Sequence, residues 1–269
     1  MIIGDKLRVF EAFAGYGSQH LALKRLQRDF TTFDFEVVGI SEIDAYALQA
    51  YRAMHGDVTN FGDIAKIDWG GQVPDFDLFT YSFPCTDISN AGNQEGFAEG
   101  SGTRSSLLWE CRRAIEVKRP KYLLMENVKA LTQTKFQPLL AKWLKELDDF
   151  GYVTYLQVLN AKDYGVPQNR ERVFAVSILK SLEQPFSFPK GWKLDKSIED
   201  ILEDEDTIDE KYYVSDKTLA YYMRVNADKE HNHAFKVLGK EDCCGAIRTK
   251  PDRVDANWYS ADELNREDS

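Results

Sequence analysis

Cys85 stands just past the apolar run Asp77–Tyr81, in the stretch Ser82-Phe83-Pro84-Cys85-Thr86-Asp87-Ile88-Ser89. A thiol becomes a nucleophile once deprotonated. A lone cysteine is more often an inert core filler, so the case rests on what the other apolar runs carry at their ends. Leu7–Phe13 leads into Ala14-Gly15-Tyr16-Gly17-Ser18, a tight turn whose glycines let backbone approach a ligand. The helix that follows such a turn favours negative charge at its N-terminus. Phe35–Ile40 ends at Ser41-Glu42-Ile43-Asp44. An acid about 20 residues or more past the glycine turn is placed to hold ribose hydroxyls. That role falls to Glu42, and Asp44 is read as a helix N-cap. Lys121–Met125 ends at Glu126, and Arg170 and Arg172 precede a last apolar run. The chemistry on offer is a thiol and a carboxyl group facing one pocket beside a nucleoside cofactor, with positive charge added by the two arginines.

The elements that must position these groups alternate. Strands are expected over Leu7–Phe13, Phe35–Ile40, Asp77–Tyr81, Lys121–Met125, Val153–Leu159 and Val173–Ile178. Helices are expected over Gln19–Arg28, Ala45–Tyr51, Ser105–Glu116 and Pro138–Phe150, and Asn60–Ile64 forms a short element between. Pro138 suits the first helical position, where its missing N–H costs nothing, and Gly151 suits a C-cap. Asp163–Arg172 is expected as a loop and Cys111 as core. Such alternation gives an α/β fold, Rossmann-like, with a mostly parallel sheet. In an open parallel sheet the C-terminal strand ends share one edge, where ligands bind. Past Leu179 the character changes: Pro185, Pro189 and the acidic stretch from Glu199 to Glu210 mark a boundary. We therefore expect a cofactor-binding and catalytic domain over 1–180 and a linker with an irregular, partial region over 181–269.

The chain has 269 residues, 43% of them hydrophobic, enough for a sizeable core. It has no apolar run of the roughly 18 residues that a membrane span needs and no signal-peptide pattern at its start. The four cysteines, Cys85, Cys111, Cys243 and Cys244, fit neither a zinc site nor a disulfide framework. A cytoplasmic protein is expected. The formal net charge of −10 argues against a polyanionic partner, but the acid is concentrated past residue 198 and at the tail. His231-Asn232-His233 is too little to make a metal-dependent nuclease.

In their order and spacing these motifs resemble the cytosine-5 DNA methyltransferases over roughly residues 7–178. Phe13-Ala14-Gly15-Tyr16-Gly17 is similar to the family's cofactor turn, and Glu42-Ile43-Asp44 to its ribose-binding acid. Asp63-Ile64 matches the pair that meets the adenine. Pro84-Cys85 with Ser89 resembles the nucleophile block, and Thr103-Arg104-Ser105-Ser106-Leu107 the block after the mobile loop. Glu126-Asn127-Val128 and Gln168-Asn169-Arg170-Glu171-Arg172 match the Glu-Asn-Val and Gln-x-Arg-x-Arg blocks.

The resemblance implies the sheet of S-adenosylmethionine-dependent methyltransferases, with Phe13, Gly15, Gly17, Glu42, Ile43, Asp63, Ile64, Pro84 and Leu107 around S-adenosyl-L-methionine. It implies catalysis by Cys85, Glu126, Arg172 and Arg170 on a cytosine flipped out of double-stranded DNA, and no metal. Cys85 would add to ring position 6. Glu126, protonated with its pKa raised by burial, would donate to N3, and Arg172 would hold O2. The glycine-rich stretch Asn90–Gly102 would form a lid. A tRNA cytosine-5 methyltransferase, and a cofactor- or DNA-binding subunit inactive without a partner chain, are the alternatives. The family's two C-terminal blocks are not found in the residues after 180, so a second polypeptide is expected to supply them, or the chain is a piece of a longer one. A prokaryotic or phage origin is expected. Glu11 stands where the family more usually has aspartate, Ser18 where it often has a further glycine and Thr86 where it often has glutamine.

Overall fold

The computed structural model describes residues 6–88, 96–209, 213, 215–227 and 243–245. They divide into two compact units, one of residues 1–158 with 172–188 and one of 159–171 with 189–269. The first unit is built on a six-stranded sheet in the order β2-β1-β3-β4-β7-β5. Its strands are β1 (Leu7–Ala12), β2 (Phe35–Ser41), β3 (Leu78–Tyr81), β4 (Tyr122–Val128), β5 (Tyr152–Asn160) and β7 (Glu171–Leu179). β1 pairs in parallel with β2 and β3, and β3 with β4, whereas β7 runs antiparallel to β4. The sheet is thus mostly parallel, as expected. The chain moves outward from β1 to β2 on one side and returns to place β3 on the other. That reversal opens a crevice at the C-terminal ends of β1 and β3.

Central parallel strands are covered on both faces and read as continuous apolar runs. In β1 and β3, Val9, Phe10, Ala12, Phe79 and Tyr81 are all buried. The helices are α1 (Ser18–Asp29), α2 (Ala45–His55), α3 (Leu108–Lys118) and α4 (Gln137–Asp149). Asp44 caps α2 as expected, accepting from the Tyr46 and Ala47 N–H groups. On α4, Leu140, Trp143 and Leu147 share a face and are buried. Trp143 meets the Trp109 ring of α3 edge-on at 5.7 Å and that of Tyr81 at 6.1 Å. Cys111 is fully buried in this core. Two local expectations need correction. Pro138 takes the second helical position, behind Gln137. The start of the expected Ser105 helix is a 3-10 turn, Arg104–Leu107, which passes into α3. The short element expected over Asn60–Ile64 is a single bridge from Asn60 to Ile40 followed by the 3-10 turn Ile64–Lys66.

The expected loop Asp163–Arg172, whose residues up to Glu171 lie in the second unit, is not a plain loop. It holds a 3-10 turn at Ala161–Tyr164 and a short strand β6 (Gln168–Asn169), paired in parallel with β8 (Cys244–Gly245). Trp192 packs edge-on against Tyr164 at 5.5 Å. Ile198 and Cys244 form a small buried pair, and α5 spans Asp216–Ala227. His231–His233 and the chain after Gly245 lie outside the described residues. Among the described residues no helix is long and apolar enough to cross a membrane.

A buried polar cluster supports the turn after β1. The Tyr51 hydroxyl donates to Glu11 Oε2 at 2.7 Å and lies 2.7 Å from His20 Nδ1. His55 stacks on His20 at 4.1 Å, and its Nε2 lies 3.0 Å from the Tyr16 carbonyl. Burial pushes the Glu11 carboxyl up to about 7, against the Tyr51 hydrogen bond. Burial, then the positive charge of His55 and Lys24, pushes His20 down to about 4. Glu11 therefore binds more protons folded than unfolded, and its stabilisation is lost as pH rises through about 7. His20 binds fewer protons folded, and its contribution is lost as pH falls through about 4. His55 is lowered as well, chiefly by burial, so both histidines oppose Glu11 until pH is well above their ordinary pKa of about 6.5. Comparison with Glu11→Gln isolates the carboxyl: relative to that variant, the natural chain should lose stability as pH rises from about 5 to 7.5, by no more than roughly 1.4 kcal/mol per pH unit. Chemical denaturation across the range checks it, and an unchanged slope in the variant would rule Glu11 out.

Candidate active site

The cofactor-type turn leaves β1 through two unusual backbone conformations. Phe13 adopts φ 55, a left-handed geometry that costs a bulky residue of order 1–3 kcal/mol. Gly15 follows at φ 57 and Gly17 at φ 82. The two glycines are needed for different reasons. A Cβ on Gly17 would lie 2.6 Å from the His55 ring and 2.7 Å from that of Tyr51, so the turn sits directly on the polar cluster. A Cβ on Gly15 would meet nothing within 4 Å. Open space against bare backbone is what close approach of a ligand requires.

Glu42 is held over this turn. Its Oε2 accepts from the Gly15 N–H at 2.8 Å, and its Oε1 accepts from the N–H groups of Ile43 and Asp44 at 2.8 and 2.7 Å. Each carboxylate oxygen can accept about two hydrogen bonds, so Oε2, with one donor, keeps capacity for a hydroxyl, while Oε1 already has two. Next to it the Ile43 side chain is 69% exposed and that of Tyr46 85%, an apolar surface beside a fixed anion. That combination fits a nucleoside with a free diol. Asp63 caps the 3-10 turn Ile64–Lys66 through Ala65 N–H and pairs with Lys66 at 3.5 Å. Ile64 is buried in the main core, so what it offers a ligand is chiefly its main chain.

At the next strand end the Pro84-Cys85 turn is held from two sides. The Ser105 hydroxyl, fully buried, donates to the Pro84 carbonyl at 2.7 Å. Asn127 Nδ2, on β4, donates to the Phe83 carbonyl at 3.0 Å. Asp87 completes the lock: its Oδ2 accepts from Ser105 N–H at 2.9 Å, and its own N–H donates to Ser105 Oγ. The Ser105 N–H, with the Thr86 hydroxyl, holds the Asp87 carboxyl below the usual carboxylate range. Cys85 is partly exposed, in no disulfide, and accepts through its carbonyl from Ile88 N–H. Cys111, by contrast, is pushed well up by burial. Leu107 closes the 3-10 turn that carries Ser105 and packs on the core.

Glu126 lies on β4, the strand beside β3. Its Oε1 is 3.1 Å from Arg172 Nε on β7, with the side chains 22% and 21% exposed. The expected deep burial of Glu126 is not observed; an ion pair at the rim takes its place. The structure thus brings Gly15 and Glu42 together, and Glu126 and Arg172. Arg170 belongs to the second unit, where its N–H donates to Asn160 Oδ1 and Gln168 O and its carbonyl accepts from Ala161. Ser89 and the lid stretch as far as Glu95 lie outside the described residues, while Gly96, Gly100 and Gly102 have positive φ.

Several positioning residues were not anticipated. The Gln19 amide, at the start of α1, donates to Ser82 Oγ at 2.8 Å and so ties the glycine turn to the segment that follows β3. Ser105 and Asn127 act on main-chain carbonyls, and Asn60 on the backbone of Glu42. The only signal for Ser105 and Asn127 was their place inside matched blocks.

The model of the C-5 cytosine-specific DNA methylase family matches residues 7–265. The chain is 41% identical to the type II methyltransferase M2.ScrFI of Lactococcus lactis subsp. cremoris, over 80% of this chain and 72% of that one. It is 34% identical to the orphan methyltransferase M.SssI of Spiroplasma monobiae, over 73% of this chain and 65% of that one. An orphan methyltransferase of Bacillus phage rho11s, M.Rho11sI, is 31% identical over 86% of this chain and 50% of its own. The chain thus spans between half and about three quarters of these relatives. Among solved structures, Spodoptera frugiperda DNMT2 superposes with a TM-score of 0.66 at 21% identity, over 88% of this chain and 68% of that one. That likeness bears on the fold, which is the α/β fold of methyltransferases. The model and the relatives together place this protein: it belongs to the C-5 cytosine-specific DNA methylase family.

Proposed function

We propose that the chain methylates carbon 5 of cytosine in double-stranded DNA through a covalent intermediate on Cys85. The observation that supports this most is the pairing of two strand ends. Cys85 follows β3, and the Glu126–Arg172 pair sits on the neighbouring β4 and β7. S-adenosyl-L-methionine, which this family uses, would supply an electrophilic methyl group when bound at Gly15 and Glu42. The residues proposed around it are Phe13, Gly15, Gly17, Glu42, Ile43, Asp63, Ile64, Pro84 and Leu107. Bacterial and phage relatives fit a cytoplasmic enzyme of a restriction-modification system.

In this reading Cys85 adds as thiolate to ring carbon 6, forming an S–C bond while the ring's 5,6 electron pair moves toward carbon 5. Glu126 donates a proton-bearing contact to N3, and the Arg172 guanidinium holds O2, where negative charge builds. A flipped base seated on the ion pair would exchange the Glu126–Arg172 contact for one to each group. After carbon 5 has taken the methyl group, loss of its proton returns an electron pair to the ring. The S–C bond then breaks with its pair going back to Cys85. The lock on the Pro84 and Phe83 carbonyls keeps the thiol in place through both bond changes. Arg170 is proposed as a second cation for the base or a phosphate, and residues 181–269 as a linker and partial target-recognition region. A second polypeptide is proposed to supply the part of its relatives that this chain does not span.

DNA carrying 5-fluorocytosine should trap the enzyme, because fluorine cannot leave as a proton does. A protein–DNA adduct that survives denaturation should form with S-adenosylmethionine present, in Cys111→Ser as in the natural chain, and not in Cys85→Ser. The trap is run on the chain alone and with a chain supplying the rest of a relative. An adduct that persists in Cys85→Ser, in a preparation that methylates DNA, would overturn the mechanism.

Glu126→Gln should leave cofactor affinity within about twofold and lower turnover on the order of 10²–10³-fold, the usual cost of losing one stabilising donor. Single-turnover tritium transfer measures this. Wild-type turnover in the variant would remove Glu126 from the acid role.

A further inference from the structure

The chain leaves the end of β2 at Glu42, runs through α2 and returns at Thr59–Asp63 to lie along that same strand end. Main-chain bonds from Ile40 N to Thr59 O, 2.9 Å, and from Phe61 N to Ile40 O, 2.8 Å, bring the two segments together. Ser41 Oγ adds a bond to Gly62 O at 2.6 Å. Between the segments sits one side chain. Asn60 Oδ1 accepts from Glu42 N–H at 3.1 Å and from Gly62 N–H at 3.0 Å, and Asn60 Nδ2 donates to the Glu42 carbonyl at 2.9 Å. The amide's orientation is forced, because turning it over would set its NH2 group against two N–H donors and its oxygen against a carbonyl.

We infer that Asn60 is a positioning residue for cofactor recognition. It clamps both main-chain groups of Glu42 and, through Gly62, the Asp63-Ile64 turn, so that the ribose acid and the turn proposed for the adenine keep one spacing. The inference rests on the reading of Glu42 as the ribose ligand. The chemistry selects asparagine: the site needs an acceptor for two N–H groups and a donor for one carbonyl on a single short side chain. Aspartate keeps the acceptor and loses the donor, and alanine loses all three bonds. Because Glu42 Oε1 and Oε2 are themselves tied to Ile43, Asp44 and Gly15 N–H groups, a shift of the Glu42 main chain would carry the carboxylate with it.

The test is calorimetric titration of the full chain with S-adenosylhomocysteine and with its 2′-deoxyribose analogue, alongside thermal melting. The natural chain should prefer the ribose form, and Glu42→Ala should abolish the preference. Asn60→Ala should weaken S-adenosylhomocysteine about tenfold or more, the scale on which partners orienting a ligand group act, and lose most of the preference. Asn60→Asp should fall between and decides the matter if the alanine variant does not fold. A lower melting temperature alone cannot change the ratio of two ligands that differ by one hydroxyl. Asn60 variants that keep the natural ratio while Glu42→Ala loses it would refute the inference and leave the Glu42 reading standing. A natural ratio in Glu42→Ala would instead sink the Glu42 reading, and the inference with it.

Discussion

Two parallel neighbours, β1 and β3, send their chains away in opposite directions, and every functional group depends on that divergence. A parallel sheet buries both faces and leaves its edges to the loops. At a reversal point the loops part and expose the strand ends between them. Here the glycine turn follows β1 and the Pro84-Cys85 turn follows β3 at neighbouring strand ends, with Tyr81 of β3 in register with both Ala12 of β1 and Met125 of β4. A cofactor turn, a thiol and a carboxyl group so arrive at one sheet edge without any long excursion of the chain. Gln19, bonded to Ser82, keeps the two turns from drifting apart.

What holds the edge in place is polar and buried. The Pro84 and Phe83 carbonyls, which would otherwise be stranded in the core, are taken by Ser105 and Asn127. Buried polar groups that are satisfied rigidify their surroundings, and those that are not are costly. The arrangement therefore stiffens the Pro84-Cys85 turn through its main chain. The same logic recurs under the glycine turn, with two loose ends: Glu11 Oε1 and His55 Nδ1 are buried without a hydrogen-bond partner. That orphan oxygen is where the proton held by a carboxyl group near neutral pH would reside.

The sheet, and the residue types that end its strands, were legible in the sequence because both are local. Apolar runs ended in glycine, acid or Pro-Cys, and each end carried one chemical type. The strand directions and the helix cap at Asp44 follow from the same patterns. What was not legible is the set of bonds between distant side chains and main chain. Nothing near Asn60 announces that it will meet Glu42, and nothing near Ser105 that it will meet Pro84. Phe13 carries no mark of its left-handed backbone, since sequence patterns favour glycine at such a position. The Glu126 environment was misjudged for a related reason: burial at a strand's end depends on what the antiparallel neighbour brings, and β7 brings Arg172.

Glu126 and Asn127 are consecutive on β4, so their side chains point to opposite faces of the sheet. One faces the arginine of β7 and the other reaches the Phe83 carbonyl beneath the thiol turn. A single-residue insertion or deletion anywhere in β4 upstream of them would exchange the two faces at one stroke. The dipeptide is thus protected by a reading frame of its own. Point changes can erode either function separately, but length changes in this strand remove both together. The connections on either side are where a change of length leaves both faces of β4 in place.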